Sequence, residues 1–257
     1  MEGKASQSTR TFTTADGTKR TAIVRIPANS QGKRLPVMFM FGGWQHDAAK
    51  TQSYSLLERT GAGTDAIIVY PQAIDNAWEG APYAVSKRGE DVAFVRQIAK
   101  ALDAEGHADM SRIYAAGLSN GGGMALTLAC QAPDLVKAVV GVAGAYYNPT
   151  ISNCKAGAVR TMIMHGTLDD VMTYDGGTRH GAPYYSIPAA LRNVANRNGC
   201  DTSATEYTRQ ITINVDQFDY PNCAKDTILW KVTGQGHTWF PYAPNAAQAA
   251  WDFVTER

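Results

Sequence analysis

The chain has 257 residues, of which 44% are hydrophobic and 18% are charged. This composition supplies a large apolar core and excludes a disordered chain. The formal net charge is only +1, so there is no electrostatic case for a nucleic-acid partner. No apolar run approaches the roughly 20 residues that cross a bilayer, so no membrane partner is expected either.

The first elements predicted in chain order are a hairpin and a buried strand. Residues 9–14 and 21–26 have strand character, and Asp16 and Gly17 between them are a hairpin signal. Residues 35–41 form a continuous apolar run that ends at two glycines. Continuous rather than alternating apolarity predicts a parallel-sheet strand that is buried on both faces.

The next stretch alternates helix and strand around one long irregular segment. A helix is predicted over residues 48–60 and a buried strand over residues 66–70. Residues 72–88 are irregular, and long loops in compact domains often carry function. Residues 90–104 repeat apolar side chains at helical spacing, which predicts an amphipathic helix.

The same alternation continues to the C-terminus. Further strands are predicted at residues 112–116, 138–143, 160–164, 210–215 and 227–232, and helices at 124–130, 183–198 and 245–255. Buried strands that alternate with helices predict an α/β fold with a mostly parallel, doubly wound sheet. We expect a flexible N-terminus at residues 1–8 and one domain at residues 9–257. Residues 173–185 are expected, with residues 72–88, to shape any groove.

The pattern G-x-S-x-G at residues 117–121 is the strongest functional signal. It lies between a predicted strand and a predicted helix, the context in which this motif forms a nucleophile elbow. The turn places Ser119 at a helix N-terminus, where free amides and the helix dipole favour negative charge. The alternative is an ordinary strand-to-helix turn in which Ser119 is a helix N-cap.

Two further polar residues, Asp169 and His237, follow the ends of predicted strands. Sites in open α/β sheets form at the carboxyl ends of strands, so we expect both residues near Ser119. The order Ser, Asp, His is that of α/β-hydrolases. In this hypothesis His237 takes the proton of Ser119, and Asp169 holds the imidazole in one tautomer.

Other residues compete for these roles. His165 also follows a buried strand, but it does not fit the order Ser, Asp, His, which favours a packing or hydrogen-bonding role. Asp170 and, less strongly, Asp175 compete with Asp169. Residues expected to lie on the surface or at a helix start rather than in the site are His46, His107, His180 and Asp91.

Two backbone amides are expected to stabilise an oxyanion. One belongs to Asn120, directly after the nucleophile, and the other to Trp44, after the strand at residues 35–41. Trp78 and Trp239 either line an aromatic acyl pocket or serve in packing alone. No cluster has metal-ligand spacing, so no metal is expected, and the glycine run lacks the ending of a phosphate loop.

The cysteines favour two disulfides over four buried thiols. They are Cys130, Cys154, Cys200 and Cys223, an even number without a C-x-x-C pair. Four cysteines permit three connectivities, and the sequence alone does not choose among them. The N-terminus has no apolar signal-peptide core. We nevertheless expect a secreted protein, extracellular or periplasmic, in which Met1 replaces the signal peptide.

Five motifs, taken as a set and in their order, resemble a known family. The motifs are Gly117-Leu118-Ser119-Asn120-Gly121-Gly122, Leu128-Ala129-Cys130 with Pro133-Asp134, His165-Gly166-Thr167-Leu168-Asp169 with Tyr174-Asp175-Gly176-Gly177, Asn198-Gly199-Cys200, and Gly236-His237-Thr238-Trp239. They resemble secreted serine esterases that group polyhydroxybutyrate depolymerases with feruloyl and acetylxylan esterases. The resemblance runs from about residue 35 to residue 253, which is most of the chain.

The resemblance implies an α/β-hydrolase catalytic domain over residues 9–257, no cofactor, and the same three catalytic residues. It also implies the pairing of Cys130 with Cys154 and of Cys200 with Cys223. The chain departs from the family at Gly42, where many members carry His before Gly. A backbone donor in this loop can survive that change.

The leading hypothesis is a carboxylic ester hydrolase that forms an acyl-enzyme on Ser119. We expect a feruloyl-type (hydroxycinnamoyl) esterase acting on polysaccharide-linked esters. The alternative is a polyester depolymerase acting on polyhydroxyalkanoates or similar polymers. An acyltransferase and an inactive binding module with a hydrolase fold are further hypotheses. In each enzymatic case we expect a monomer whose partner is an ester substrate, linked to a polymer.

Overall fold

A computed structural model describes residues 4–203 and 206–257. In these residues the strands are β1 (Ser6–Thr13), β2 (Lys19–Ile26), β3 (Leu35–Phe41), β4 (Ile67–Pro71), β5 (Ala108–Leu118), β6 (Ala138–Val142), β7 (Arg160–Gly166), β8 (Gly177–Arg179), β9 (Ala182–Tyr184), β10 (Tyr207–Thr212), β11 (Val215–Asp219) and β12 (Thr227–Val232). The helices are α1 (Ala48–Ser55), α2 (Ala62–Asp65), α3 (Glu90–Ala104), α4 (Asn120–Gln131), α5 (Asn148–Ile151), α6 (Ile187–Arg197) and α7 (Ala246–Thr255).

One large sheet organises the molecule, with the strand order β1-β2-β4-β3-β5-β6-β7-β12-β11-β10. From β4 to β12 all neighbours run parallel. The antiparallel hairpins β1–β2 and β10–β11 flank this parallel centre. The predicted doubly wound, mostly parallel sheet with an N-terminal hairpin is therefore confirmed.

The core lies on both faces of the sheet. Along β3, Val37, Phe39 and Phe41 pack on one face with α3, α4 and α6, whereas Met38 and Met40 pack on the other with α1, α2 and α7. All of these β3 side chains are fully buried. This two-sided burial explains why the strand has a continuous rather than an alternating apolar sequence.

The hairpin begins earlier than its sequence pattern indicates. Ser6 on β1 is already paired with Ile26 on β2. Residues 6–8, predicted to belong to a flexible N-terminus, therefore form the start of a strand. Residues 1–3 of that predicted segment lie outside the described residues.

The helix predicted over residues 48–60 is too long. Asp47 caps α1 by accepting a hydrogen bond from the amide of Lys50 at 2.7 Å. The helix ends at Ser55 because Leu56 adopts a left-handed conformation, with φ of 56°. A short 3₁₀ turn and α2 follow, and they carry the chain into β4.

The helix predicted over residues 183–198 begins later than expected. Ser186 caps α6 by accepting a hydrogen bond from the amide of Ala189, and Pro188 lies in the first turn. Pro183 instead belongs to β9, part of the β8–β9 hairpin that the sequence pattern did not reveal. Gly199 follows the helix with φ of 68°, as predicted for a residue just past a helix end.

The strand predicted over residues 210–215 is wrong in its bounds, because these residues cover the bend between β10 and β11. The pattern of β11 is obscured by Gln217, which is 6% exposed and takes an inward position. The side-chain oxygen of Gln217 accepts a hydrogen bond from Trp230 Nε1 at 2.9 Å. A satisfied polar side chain thus replaces the apolar one that alternation would require.

Both predicted disulfides are present, joining Cys130 to Cys154 and Cys200 to Cys223. The pairing implied by the family resemblance is therefore confirmed. Of the helices in the described parts of the chain, none combines the length and apolarity that crossing a bilayer requires.

Candidate active site

Ser119 occupies a strained turn between β5 and α4. Its backbone has φ of 57° and ψ of −116°, an uncommon conformation for a residue with a side chain. The turn is fixed by hydrogen bonds from Ser119 N to Val142 O and from Ala145 N to Ser119 O, both 2.9 Å. Strain supported by neighbouring backbone is typical of functional positions.

The two outer glycines of the motif are required by close backbone approach. A Cβ atom at Gly117 would overlap the carbonyl of Gly121, and one at Gly121 would overlap the carbonyl of Phe41. The start of α4 therefore sits directly against β3 and β5. This contact is the physical reason for the pattern G-x-S-x-G at this turn.

Asp169 lies in a tight turn after β7. Its Oδ1 accepts hydrogen bonds from the amides of Val171, at 2.9 Å, and Met172, at 2.8 Å. The same turn is tied to the loop after β12, because Leu168 N donates to Gln235 O at 2.9 Å. The side chain of Asp169 has no solvent exposure, so its orientation is set by these contacts.

His237 lies in that neighbouring loop and contacts the free oxygen of the carboxylate. The distance from His237 Nδ1 to Asp169 Oδ2 is 2.8 Å. His165 reaches the same oxygen from inside the protein, with its Nε2 at 3.2 Å. The exposed carboxylates of the predicted competitors, Asp170 and Asp175, point to solvent rather than into this buried arrangement.

Ser119 and His237 line one cavity of about 400 Å³ at the carboxyl ends of the parallel strands. Its volume lies within the usual range for small-molecule sites. His165 is fully buried and is not part of the cavity lining. Of the two histidines near Asp169, only His237 therefore faces the space that holds Ser119.

The electrostatics of the Asp–His pair favour an ionised carboxylate. Burial raises the pKa of Asp169, but the hydrogen bonds from His165 and His237 outweigh it and lower the pKa. The net result is a pKa well below the ordinary value for Asp. An ionised Asp169 accepts the Nδ1–H of His237, which leaves Nε2 of the ring as the basic nitrogen.

The amides predicted to stabilise an oxyanion lie in two loops beside Ser119. Asn120 opens α4, and the first amides of a helix have no partner within the helix. Trp44 lines the cavity, and in the part of the chain that the structure describes its amide makes no hydrogen bond. By contrast, Gly43 N donates to the hydroxyl of Tyr54 at 3.4 Å.

Trp78 connects these two loops from the core side. Its indole Nε1 donates to Gly42 O at 3.0 Å, and its amide donates to Asn120 Oδ1 at 2.7 Å. Trp78 is 2% exposed and packs edge-on against Phe41. The prediction that Trp78 lines an acyl pocket is therefore wrong, because its ring is in the core and outside the cavity lining.

The cavity wall is aromatic. Trp44 stacks on Tyr83 with ring centroids 4.3 Å apart, and His180 contacts both rings edge-on. Trp239, predicted either to line an acyl pocket or to pack, does both: it lines the cavity and donates from Nε1 to Ser55 O at 2.8 Å. The lining residues not yet named in this role are Gly43, His46, Tyr54, Leu118, Ala145, Tyr147, Val171, Met172, Arg179 and Thr238.

Two histidines predicted to be ordinary surface residues, His46 and His180, belong to this wall. Burial lowers the pKa of His46, as do the charges of Lys50 and His237, so its ring is neutral at neutral pH. His180 sits at the turn of the β8–β9 hairpin with φ of 52°. The segment at residues 173–185 is expected to shape the groove, but its polar sequence has no strand signal that singles out His180.

A buried carboxylate pair anchors the segment at residues 72–88, which contributes Tyr83 to the wall. Glu79 accepts hydrogen bonds from the amides of Gly89 and Asp91, both at 2.8 Å, while Asp91 accepts one from the amide of Glu79 at 2.7 Å. Burial raises the pKa of both carboxyls, and Arg20 opposes this at Asp91 through an ion pair of 2.7 Å. Asp91 thus lies at the helix start, as predicted.

A doubly wound α/β sheet with a serine at a strained strand-to-helix turn, beside a buried Asp–His pair, defines an α/β-hydrolase. The sequence profile of the esterase family, described as "Putative esterase", matches residues 13–235. The chain therefore belongs to the esterase family and is an ester hydrolase. The predicted resemblance to serine esterases of this fold is confirmed.

Curated relatives include feruloyl esterases. Feruloyl esterase B of Piromyces equi is 27% identical over 252 residues, which cover 92% of this chain but 45% of that protein. Probable feruloyl esterase C of Aspergillus terreus is 28% identical over 249 residues, which cover 92% of this chain and 84% of that protein. The chain therefore spans less than half of the Piromyces protein and most of the Aspergillus protein.

Solved structures share the fold. Acetyl xylan esterase from Aspergillus awamori has a TM-score of 0.70 at 16% identity, covering 91% of this chain and 94% of its own. An S-formylglutathione hydrolase from Agrobacterium tumefaciens has a TM-score of 0.67 at 12% identity. The match covers 100% of this chain and 97% of that structure's chain. At these identities the likeness concerns the fold alone.

Proposed function

We propose that the chain is a serine carboxylic ester hydrolase whose catalytic residues are Ser119, Asp169 and His237. The hydrogen bond between His237 and Asp169 carries this proposal, together with the cavity that Ser119 and His237 share. His237 removes the proton of Ser119 as its oxygen attacks the ester carbonyl, and then delivers that proton to the leaving alcohol. Water, activated by the same base, releases the acyl group from Ser119.

The oxyanion that forms in each step is stabilised by the backbone amides of Asn120 and Trp44. Both loops border Ser119, and the dipole of α4 adds partial positive charge at the same place. Asp169 fixes the tautomer of His237 and stabilises the imidazolium. Groups of three or more metal-ligating side chains that could hold an ion are not found among the described residues.

The preferred substrate is a hydroxycinnamoyl (feruloyl-type) ester linked to a polysaccharide. The stacked rings of Trp44 and Tyr83 offer a flat, apolar surface for an aromatic acyl group. The curated relatives named feruloyl esterases support the same choice.

A polyester depolymerase is the second candidate. Leu168 is 66% exposed although it directly precedes Asp169. An exposed apolar side chain beside the site favours contact with an apolar polymer. The two candidates share the same chemistry and differ in the acyl group that the wall accepts.

We further propose that the protein is secreted and acts as a monomer. Its two disulfides persist in oxidising environments such as the extracellular space or the periplasm. Sedimentation of the purified protein at micromolar concentration tests the monomer, and a stable dimer contradicts it.

The test of the function is hydrolysis of methyl ferulate and of a hydroxybutyrate trimer by the wild type and by Ser119→Ala. Loss of the nucleophile is expected to lower kcat by a factor on the order of 10⁶. Ser111→Ala, which changes an exposed serine on β5, is the matched control and should keep full activity. A faster rate on the trimer would select the polyester, and ester formation with added sugar alcohols would select acyl transfer.

If both esters are inert and an active-site serine probe fails to label Ser119, the enzymatic proposal is rejected in favour of a binding module.

A further inference from the structure

His165 is a buried histidine that the proposed mechanism leaves without a role. It lies near the end of β7 and has no solvent exposure. Its Nε2 is 2.7 Å from Met172 O and 3.2 Å from Asp169 Oδ2. Because Asp169 Oδ2 also accepts the hydrogen bond from His237, two imidazoles flank one carboxylate oxygen, one from the cavity and one from the core.

The neighbours of His165 determine its tautomer. A carbonyl oxygen and an ionised carboxylate oxygen only accept hydrogen bonds, so Nε2 must carry the proton that both oxygens attract. The other ring nitrogen, Nδ1, is buried, and in the described part of the chain it has no hydrogen-bond partner. A proton on Nδ1 would be a buried, unsatisfied donor, which is costly. The ring is therefore the neutral Nε2–H form.

The charged and titratable groups around His165 favour the same form. Lys231 is its register partner on β12, and its ammonium lies 5.2 Å from the ring of Tyr174. Tyr174 contacts His165 edge-on, and burial raises the pKa of Tyr174 to about 12, so this neighbour is neutral. A second cation beside Lys231 would be unfavourable. Asp169, the anion in contact with His165, is already shared with His237, and the carboxylates Asp175 and Glu206 act on Tyr174.

We propose that His165 is a positioning residue for catalysis: its neutral Nε2–H holds Met172 O and Asp169 Oδ2 together, which fixes the carboxylate that receives His237. The inference rests on the proposed function, because His165 acts on the Asp169 carboxylate of the proposed catalytic pair. His165 touches neither substrate nor Ser119, so its effect passes through Asp169.

Two consequences follow from this arrangement. First, the donor draws part of the negative charge of Asp169 toward the core, which weakens the pull of the carboxylate on the proton of His237. Removing the donor therefore favours the charged form of His237, and the acid limb of the activity profile should move to higher pH. Second, the turn from Asp169 to Met172 loses the hydrogen bonds from His165. The Asp169 carboxylate is then held less rigidly, and His237 is oriented less well for proton transfer.

Two amide substitutions separate donor position from polarity and size. In His165→Gln the amide nitrogen occupies roughly the place of Nε2, so the donor is kept. In His165→Asn the amide nitrogen occupies the place of Nδ1 and cannot reach Asp169. Full pH profiles of kcat and KM on the ester that the wild type hydrolyses are measured for both variants, with thermal unfolding and serine-probe labelling as folding controls.

We expect His165→Asn to lower kcat by about ten- to one hundredfold, the range for a hydrogen bond to a charged group, with KM within about twofold of wild type. Its acid limb should shift upward by about half a pH unit or more. His165→Gln should recover most of kcat and the wild-type acid limb. Equal losses in both variants with an unmoved acid limb would indicate packing alone and overturn the proposal, as would wild-type activity in His165→Asn.

A measurement on the wild type keeps the proposal testable if either variant fails to fold. Nitrogen-15 NMR of histidine-labelled protein reports the tautomer and charge of each ring. The ring of His165 should be the Nε2–H tautomer that its two acceptors require, and the Nδ1–H tautomer would refute the proposal. If no ester is hydrolysed at all, the proposed function fails, whereas the NMR result still decides the state of His165.

Discussion

The buried side of the cavity and its aromatic wall face the same space but are held in different ways. Asp169 is enclosed, with hydrogen bonds from two amides and contacts from two imidazoles. The wall includes Arg179 and His180, which are exposed on the short β8–β9 hairpin. The proposed catalytic carboxylate is thus held by groups that cannot move without disturbing the core, whereas Arg179 and His180 lie at the surface. We therefore expect that substitutions in the wall change the choice of substrate without abolishing the proposed reaction.

The largest effect that sharpens this contrast is expected for Asp169→Asn. An amide in place of the carboxylate presents the wrong tautomer to His237, and kcat should fall by about 10⁴-fold. Asp170→Asn changes the exposed neighbouring carboxylate and is the matched control. Steady-state kinetics on a small ester measure kcat for both variants. A loss of kcat below about tenfold in Asp169→Asn would show that Asp169 does not orient the base.

Asp169 also makes stability depend on pH. Its pKa in the folded protein lies below the ordinary value of 3.8, so the unfolded chain binds the proton more tightly. The stabilisation is present above about pH 4 and is lost as the pH falls through that value toward the folded pKa. In urea titrations, the stability difference between wild type and Asp169→Asn should therefore shrink from pH 6 to pH 3, and a difference that grows would contradict the assigned sign.

Reduction of the disulfides should destabilise the protein without touching the site. The bridges close loops with separations of 24 and 23 residues. Each is expected to contribute roughly 3 kcal/mol to the free energy of unfolding. Cys130 lies in the last turn of α4, about 16 Å along the helix from Ser119. Urea titrations with and without reductant measure the loss, and kcat/KM of the folded reduced protein should stay unchanged.

Trp78→Phe tests whether the oxyanion loops are held from the core. The substitution removes the indole donor to Gly42 O and keeps the backbone hydrogen bonds to Asn120. We expect kcat to fall by about tenfold with little change in KM, as for one lost hydrogen bond that positions a catalytic group. The control is Trp251→Phe, because the buried Nε1 of Trp251 has no partner among the described residues. Equal effects of the two substitutions would reduce the role of Trp78 to packing.

The sequence predicted that the three proposed catalytic residues lie at one edge of the sheet, because each of them follows an apolar strand. Ser119, Asp169 and His237 come after β5, β7 and β12, and parallel strands bring their carboxyl ends to one edge. It placed residues 72–88 and 173–185 beside the groove, and both segments do line the cavity. It did not single out Tyr83 and His180, because neither segment has a periodic pattern. Their position depends on contacts between distant parts of the chain, such as the stacking of Tyr83 on Trp44.

Trp78 shows the limit of reasoning from residue type. A tryptophan in an irregular segment near a site fits an acyl pocket, yet its ring lies in the core. What distinguishes the two placements is the pair of hydrogen-bond partners, Gly42 O and Asn120 Oδ1, which are distant in the sequence. Composition and spacing carry no information about such partners.

The smallest expected effect is on substrate choice and comes from Tyr83→Ala. Removing the ring that stacks on Trp44 should lower kcat/KM for methyl ferulate by about fivefold and leave that for a small acetyl ester nearly unchanged, since an aromatic contact contributes roughly 0.5–1.5 kcal/mol beyond burial. Tyr242→Ala is the control, because Tyr242 is 79% exposed and is not part of the cavity lining. If both esters lose activity equally, Tyr83 supports the catalytic centre itself, and the separation between wall and chemistry fails at this residue. If only the ferulate rate falls, the aromatic wall selects the acyl group while the buried side performs the reaction.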